Sequence, residues 1–134
     1  MIVVDSSFLI AYHNTNDIHH SAAAQAMDKF LEGSWGQGLL LEYVFLEVVT
    51  VLMARRGLPV ASATATALLS ARELDLVPCS GIFLETLETF RNQEGTRLSF
   101  ADAAILTVAR QQADGFVATF DKDFRKLEGI SVVP

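Results

Sequence analysis

The fold is indicated first by Ile2-Val3-Val4-Asp5-Ser6-Ser7, in which an uninterrupted apolar run ends directly at an acidic residue. A short run without polar alternation is typical of a strand that is buried on both faces, as the strands of parallel sheets are. Leu39–Leu41 and Gly115–Ala118 have the same character. Leu74–Val77 is a further candidate strand, and Ile130–Val133 a candidate edge strand.

Helical patterns fill the segments between these runs. The first helix is expected from a cap at Asn16 or Asp17 to about Glu32. The second covers Tyr43–Arg56 and ends at Gly57, and the third covers Ala61–Arg72 and is opened by Pro59. Two further helices are expected at about 81–92 and 100–113. Strands that alternate with helices predict an α/β fold with a central, mostly parallel sheet. No repeat or linker divides the chain, so its 134 residues predict a single domain over 1–134.

The composition excludes several classes of protein. A hydrophobic fraction of 51% argues against disorder. No apolar run approaches the ~20 residues that a membrane span needs, and the N-terminus lacks the basic start of a signal peptide. The single cysteine, Cys79, excludes a disulfide framework and indicates a reducing compartment, where a buried thiol acts as a small apolar side chain. We therefore expect a soluble, cytoplasmic protein without a membrane partner.

The charge balance at first disfavours a nucleic-acid partner. The chain has 16 Asp and Glu against 10 Lys and Arg, a net charge of −6, whereas attraction to phosphates normally appears as a basic surface. The objection depends on where the acids lie.

Four acids from distant parts of the chain are predicted to meet at one edge of the sheet, where ligands of parallel α/β folds bind. Asp5 follows the first strand, and Asp121 lies just past the strand that begins at Phe116. Glu47 lies in the first turns of the helix after the second strand. Asp102 lies at the start of the helix that leads back to Phe116, so it returns to the same edge.

Such a cluster needs protonation or a cation. Two unit charges ~4 Å apart repel by about 4 kcal/mol at an effective dielectric constant near 20. An all-oxygen site favours Mg²⁺ or Mn²⁺. Zinc is disfavoured, because the histidines and Cys79 are not expected near these acids.

Each acid also has a purely structural interpretation. Asp5 suits the cap of the following helix, and Ser99-Phe100-Ala101-Asp102 matches a capping box, although apolar residues share the helix face of Asp102 and predict an inward carboxylate. Asp121 and Asp123 suit turns. Glu47 has apolar neighbours at helical spacing, and an isolated acid on an apolar face needs a partner. The convergence of the acids favours a site.

The remaining polar candidates carry less information. His19 and His20 are adjacent and point apart on a helix, which fits a surface or helix-start role better than a metal pair. Three basic residues cluster beside Asp121 and either contact phosphates or form a solvated charge run: Lys122, Arg125 and Lys126.

Four motifs together resemble the PIN domain and, within it, the VapC-type toxin ribonucleases of bacterial and archaeal toxin-antitoxin pairs. The motifs are Val3-Val4-Asp5-Ser6-Ser7-Phe8-Leu9-Ile10, Phe45-Leu46-Glu47-Val48-Val49, Leu98-Ser99-Phe100-Ala101-Asp102-Ala103-Ala104-Ile105 and Ala118-Thr119-Phe120-Asp121-Lys122-Asp123-Phe124. They occur in the family's order and span almost the whole chain. The resemblance implies a PIN-like three-layer α/β/α sandwich.

The resemblance further implies a Mg²⁺-dependent endoribonuclease, with Mn²⁺ as a substitute, that leaves 5′-phosphate and 3′-hydroxyl ends. The family's acidic positions fall on Asp5, Glu47, Asp102 and Asp121. The metal is expected on Asp5, Asp102 and Asp121, while Glu47 orients or deprotonates the attacking water. Supporting hydroxyls are expected from three residues: Ser6, Ser7 and Thr119.

Two positions depart from a simple assignment. Asp123 is able to share or replace the role of Asp121, because the family's last acid varies in placement. Glu42 stands where the family has a small or hydroxyl residue, and a further acid near the site would strengthen cation binding and repel RNA.

The implied partners are an RNA substrate, a VapB-type antitoxin that covers the site with a basic side chain, and a second copy of the chain in a homodimer. Two alternatives stay open. One is an inactive PIN-like module that binds a protein. The other is a Mg²⁺-dependent phosphatase or receiver-type domain using Asp5, which is disfavoured because Ser7 stands where the phosphatase needs a second Asp and Thr119 where the receiver needs a lysine.

Overall fold

Five short strands form a sheet that is parallel throughout. The computed structural model describes residues 1–134, and its strands are β1 (Ile2–Val4), β2 (Gly38–Leu41), β3 (Leu74–Val77), β4 (Phe116–Ala118) and β5 (Ser131–Val133). They lie in the order β3-β2-β1-β4-β5, and each neighbouring pair is parallel. Every residue of β1 and β2 is buried, as their continuous apolar runs predict. The five predicted strands are confirmed.

Six helices flank the sheet: α1 (Ser6–His13), α2 (His20–Leu31), α3 (Glu42–Arg56), α4 (Leu58–Ser70), α5 (Phe83–Arg91) and α6 (Phe100–Gln112). Short 3-10 turns occupy Ser80–Ile82 and Lys122–Lys126. Helices α1 to α4 form one group, in which α1 packs against α2 and α3, and α3 packs against α4. Helices α5 and α6 pack against each other. The predicted three-layer α/β/α sandwich is confirmed. None of the helices combines the length and apolar composition needed to span a bilayer.

Two predicted helix boundaries are wrong. Helix α2 begins at His20, and Asp17 does not cap it; instead its Oδ1 accepts the N–H of His19 at 2.8 Å and shapes the preceding turn. Helix α4 begins at Leu58, before the predicted start at 61, and ends at Ser70. Its early start follows from Gly57, whose φ of 85° ends α3 so that the next residue opens α4, with Pro59 in the first turn.

The turn between α6 and β4 sets the position of the strand that leads to Thr119. Gly115 has a φ of 83°, and a Cβ atom there would lie 2.0 Å from the carbonyl oxygen of Gly129. Only glycine fits such a position. The ends of β1 and β4 are then locked together, since the N–H of Asp5 donates to the carbonyl of Ala118 at 2.9 Å. The residues after these two strands therefore lie side by side.

Candidate active site at the carboxyl edge of the sheet

Asp5 is held by four donors at the junction of β1 and α1. It is 4% exposed and caps α1, with Oδ1 accepting the N–H of Ser6 at 2.7 Å and its hydroxyl at 3.3 Å. Oδ2 accepts the hydroxyl of Thr119 at 2.6 Å and that of Ser7 at 3.0 Å. The cap interpretation is therefore correct, and the three predicted hydroxyls all contact this carboxylate.

Ser7 and Thr119 connect the ends of β1 and β4. The hydroxyl of Ser7 accepts the N–H of Phe120 at 2.9 Å, and that of Thr119 accepts the N–H of Asp121 at 2.9 Å. Each hydroxyl has one hydrogen to donate. Thr119 donates to Asp5, while Ser7 can donate to Asp5 or to Thr119, whose Oγ1 lies 3.1 Å away. When Ser7 turns to Thr119, Oδ2 of Asp5 gains a free lone pair.

The electrostatic state of Asp5 reflects its burial. The pKa of this carboxyl is raised from 3.8 to about 6; burial is the largest cause and the charge of Asp102 adds to it, while the hydrogen bonds from Thr119, Ser6 and Ser7 lower the pKa. Burial disfavours the charged form because the low-dielectric interior solvates it poorly. A neighbouring cation would remove this penalty.

Asp102 caps α6 and also belongs to the acidic group. Its N–H donates to Ser99 Oγ at 3.1 Å, and its Oδ2 accepts the N–H of Ser99 at 3.2 Å, which completes the predicted capping box. Burial raises the pKa of Asp102, and the charges of Asp121 and Glu47 raise it further, while the bonds from Ser99 lower it. Its Oδ1 accepts no hydrogen bond and stays available to a ligand.

Asp121 and Asp123 differ in their surroundings. Asp121 caps the short turn that follows β4, and its Oδ1 accepts the N–H of Asp123 at 2.9 Å, which leaves Oδ2 without a hydrogen bond. Its charge acts on Asp102. Asp123 instead pairs with Lys126 at 3.6 Å and is not among the charges that raise the pKa of Asp102.

Glu47 has apolar neighbours, as predicted, but it is exposed to solvent, so the prediction that it needs a partner is wrong. It lies on the wall of an open groove of about 510 Å³ between α3 and the start of α6. The other lining residues are mostly apolar: Tyr43, Leu46, Thr50, Val51, Phe100 and Ala101. Because its charge reaches Asp102, it still borders the acidic group.

Glu42 does not join the acids. Its Oε1 accepts the N–H of Cys79 at 2.7 Å, just past the end of β3, so it ties the start of α3 to the edge strand. Cys79 itself is a buried free thiol, as predicted, and burial raises its pKa. The sequence places Glu42 near the acids because it is close to Glu47 in the chain, but the two point to different neighbours.

The residues fit a hard divalent cation in their chemistry and charge. As the side chains are arranged, no three acidic, histidine or cysteine groups converge on one point. The donors of Asp5, Asp102 and Asp121 are nevertheless all carboxylate oxygens, and the last two each keep one oxygen free of hydrogen bonds. Their repulsion is the energetic cost that a cation offsets.

The three basic residues after Asp121 are exposed but are not equivalent. Lys126 pairs with Asp123, and Arg125 donates to the carbonyl of Pro134 at 2.8 Å. Lys122 makes no ion pair or hydrogen bond with the chain, so its charge is the one free for a phosphate.

An aromatic stack beside the acids was not predicted. The ring of His19 lies flat on that of Phe120, at 4.4 Å between centroids and 7° between planes. No pattern in the sequence links two residues so far apart, and the position of Phe120 inside the last acidic motif was the only available signal.

Comparison with known proteins identifies a family and similar solved structures. The PIN domain family model matches residues 2–130. A crystal structure of the Mycobacterium tuberculosis toxin VapC20, which cleaves the sarcin-ricin loop, matches with a TM-score of 0.85 and 24% identity over 100% of both chains. This likeness shows the shared fold. No curated protein matches the sequence at a significant level.

Proposed function

The chain belongs to the PIN domain family, and from this premise we propose that it is a divalent-metal-dependent endoribonuclease, the toxin of a VapBC-type pair. The observation that carries the proposal is the electrostatic coupling of four carboxylates from distant parts of the chain. Asp102 raises the pKa of Asp5, and Asp121 and Glu47 raise that of Asp102. Perturbed carboxylates that share one site are typical of functional centres.

In this proposal Asp5, Asp102 and Asp121 hold Mg²⁺ or Mn²⁺ through carboxylate oxygens. A bound ion supplies a water of lowered pKa and offsets charge that develops on the phosphate. Ser7 and Thr119 position Asp5, since both hydroxyls lie within 3.0 Å of its Oδ2. We assign to Ser6, which bonds Oδ1, the same supporting role.

Glu47 orients the attacking water or accepts its proton. Its exposure suits this role, because the side chain faces the groove from which RNA approaches. The water attacks phosphorus, the bond from phosphorus to the 3′ oxygen breaks, and that oxygen takes up a proton. The products carry 5′-phosphate and 3′-hydroxyl ends. Lys122, together with Arg125 and Lys126, is proposed to contact phosphates beside the cut.

The direct test is cleavage of RNA by the purified protein in Mg²⁺, in Mn²⁺ and in EDTA. The sarcin-ricin loop is the first substrate to try, because VapC20 cleaves it, and an unstructured oligoribonucleotide is the second. We expect cleavage only with the divalent ions and products with 5′-phosphates. Equal cleavage in EDTA would contradict the metal dependence. Absence of cleavage on any RNA would contradict the nuclease assignment.

Asp121→Asn is expected to lower the cleavage rate about a hundredfold, since removing a ligand charge costs roughly 3 kcal/mol of transition-state stabilisation. Asp123→Asn is the matched control, two residues away. It should change the rate by less than about fivefold, because an exposed pair such as Asp123 with Lys126 contributes ~1 kcal/mol or less. Single-turnover rates in saturating Mg²⁺ measure both. A larger loss in Asp123→Asn would assign the fourth acid to that residue.

We propose a VapB-type antitoxin as the protein partner. The groove beside Glu47 combines apolar walls with an acidic edge, which suits a segment with apolar side chains and a basic residue directed at the carboxylates. Inhibition of cleavage by the product of a neighbouring reading frame tests this assignment.

A homodimer is also proposed. Its support is an exposed apolar surface that includes Leu69, Leu76 and Phe83, which are 58%, 48% and 49% exposed. Light scattering of the purified protein tests it, and the mass of a single chain would contradict it.

A further inference from the structure

Three aromatic rings form a stack that runs from the core to the surface beside the acids. The rings of Phe8 and Phe120 have centroids 6.2 Å apart at 20°, and those of Phe120 and His19 are 4.4 Å apart at 7°. Phe8 is 2% exposed, Phe120 is half-buried and His19 is exposed. The imidazole therefore lies flat at the outer end of a stack whose inner end is fixed in the core.

The stack borders the candidate active site directly. Phe120 lies between Thr119 and Asp121 in the chain, and its N–H donates to Ser7 Oγ at 2.9 Å. The same hydroxyl is 3.0 Å from Oδ2 of Asp5. A nucleotide whose phosphate lies at the acids would have its neighbouring base within reach of this edge.

The loop that carries His19 is held in place by the protein itself. Asn14 Oδ1 accepts the N–H of Asn16 at 3.1 Å and the guanidinium of Arg56 at 2.8 Å. Asp17 Oδ1 accepts the N–H of His19 at 2.8 Å, and a ring nitrogen of His20 lies 2.9 Å from the carbonyl oxygen of Ala11. His19 is thus positioned before any ligand binds, which lowers the entropic cost of binding.

We propose that His19 is a stacking platform for a nucleobase next to the scissile phosphate; the inference rests on the proposed ribonuclease function. Proteins that bind single-stranded RNA stack unpaired bases on aromatic side chains, histidine included. Stacking engages the base and not the phosphate, so it contributes to binding despite the net charge of −6. His19 acts here as a positioning residue and takes no part in the chemistry.

The test compares His19→Ala, His19→Phe and Ile18→Ala on a short oligoribonucleotide that the wild type cleaves in Mg²⁺. Loss of a base stack predicts a KM about tenfold higher for His19→Ala, with kcat within about twofold. His19→Phe should restore the KM, because it keeps a flat aromatic ring. Ile18→Ala removes the neighbouring side chain, which is 90% exposed and outside the stack, and should leave the KM unchanged.

A second substrate separates stacking from a structural role. Two oligoribonucleotides are needed, one with an abasic nucleotide on the 5′ side of the cut and one with it on the 3′ side. In the wild type, one of them should raise the KM about as much as His19→Ala does. In His19→Ala, the same oligoribonucleotide should not raise the KM further. If the wild type cleaves RNA but His19→Ala has an unchanged KM, or if the abasic effect persists in full in that variant, the platform is overturned and the ribonuclease function stands. If the wild type cleaves no RNA, both proposals fall.

Discussion

Asp5→Asn is expected to lower the rate of RNA cleavage about a thousandfold while the protein stays folded. The substitution removes the charge of a proposed metal ligand at the centre of the site, and several kcal/mol of transition-state stabilisation depend on such a ligand. The fold is expected to survive because asparagine caps helices as well as aspartate does. Its amide oxygen can replace the contact of Oδ1 with the N–H of Ser6.

The same substitution should stabilise the protein when no divalent ion is present. Burial holds the pKa of Asp5 at about 6, so at pH 7 to 8 the folded protein carries a charge that its interior disfavours. The neutral amide lacks this penalty, while the hydroxyls of Ser7 and Thr119 can rotate to accept its N–H groups. We expect a higher melting temperature in EDTA for the variant than for the wild type.

Cleavage rates and melting curves of wild type, Asp5→Asn and Asp28→Asn check this prediction together. Asp28 is exposed on α2 and makes no ion pair, so the same chemical change there should affect neither measurement. A variant at Asp5 that melts far below the wild type would mean that the carboxylate is needed for folding. A folded variant with full activity would exclude Asp5 from the metal site.

The sheet was predictable from the sequence because its central strands are buried on both faces. Burial on both faces leaves no position for a polar residue, so β1 and β2 appear as uninterrupted apolar runs. For the same reason, the sequence does not predict where helix α1 begins and ends. Phe8, Leu9, Ile10 and Ala11 are all buried, so the helix lacks the period of 3.6 residues that marks an amphipathic helix.

The placement of these acids at one edge of the sheet was predictable from topology, but their individual contacts were not. Parallel strands place Asp5 and Asp121 at one edge, and α6, which leads into β4, begins near that edge and carries Asp102. Which neighbours the side chains of Glu42 and Glu47 contact depends on the rotation of α3 about its axis. One of these residues bonds the N–H of Cys79, whereas the other faces an open groove, and the sequence pattern alone does not distinguish them.

The contact between His19 and Phe120 lies outside what a single sequence can indicate. It depends on the turn after α1, where Asn14 and Asp17 bend the chain through side-chain bonds to backbone N–H groups. Such bonds are typical of Asn and Asp in turns, so a turn is predictable there. The direction in which the turn sends the next residue depends on packing.

Mg²⁺ is expected to offset the pH dependence of stability that arises from Asp5. Without metal, the pKa of this group is about 6 in the folded protein and near its ordinary value of 3.8 in the unfolded chain. Between these values the folded state binds more protons than the unfolded state, so the free energy of unfolding falls as the pH rises from about 4 to 6. The contribution is about 3 kcal/mol at most, at about 1.4 kcal/mol per pKa unit.

Mg²⁺ acts in the opposite direction, because the ion binds only ionised carboxylates. Its stabilisation should be fully present well above pH 6 and should decrease as the pH falls below about 6, where protons compete with the ion for Asp5. A concentration of about 100 times Kd would add roughly 2.7 kcal/mol to the free energy of unfolding at pH 8. At pH 4.5 protonation of Asp5 weakens binding about thirtyfold, so at the same concentration the added stability should fall to about 1 kcal/mol or less.

Melting curves of the wild type and Asp5→Asn, each in Mg²⁺ and in EDTA from pH 4.5 to 8, isolate this effect from that of the other carboxylates. Both variants share every other titrating group, so the difference between them reports Asp5 and whatever it binds. The difference in EDTA should favour Asp5→Asn increasingly as the pH rises, whereas saturating Mg²⁺ should shrink or reverse it above pH 6. An equal Mg²⁺ effect in both variants would place the ion elsewhere, and a pH-independent difference in EDTA would mean that Asp5 is not the buried group that titrates.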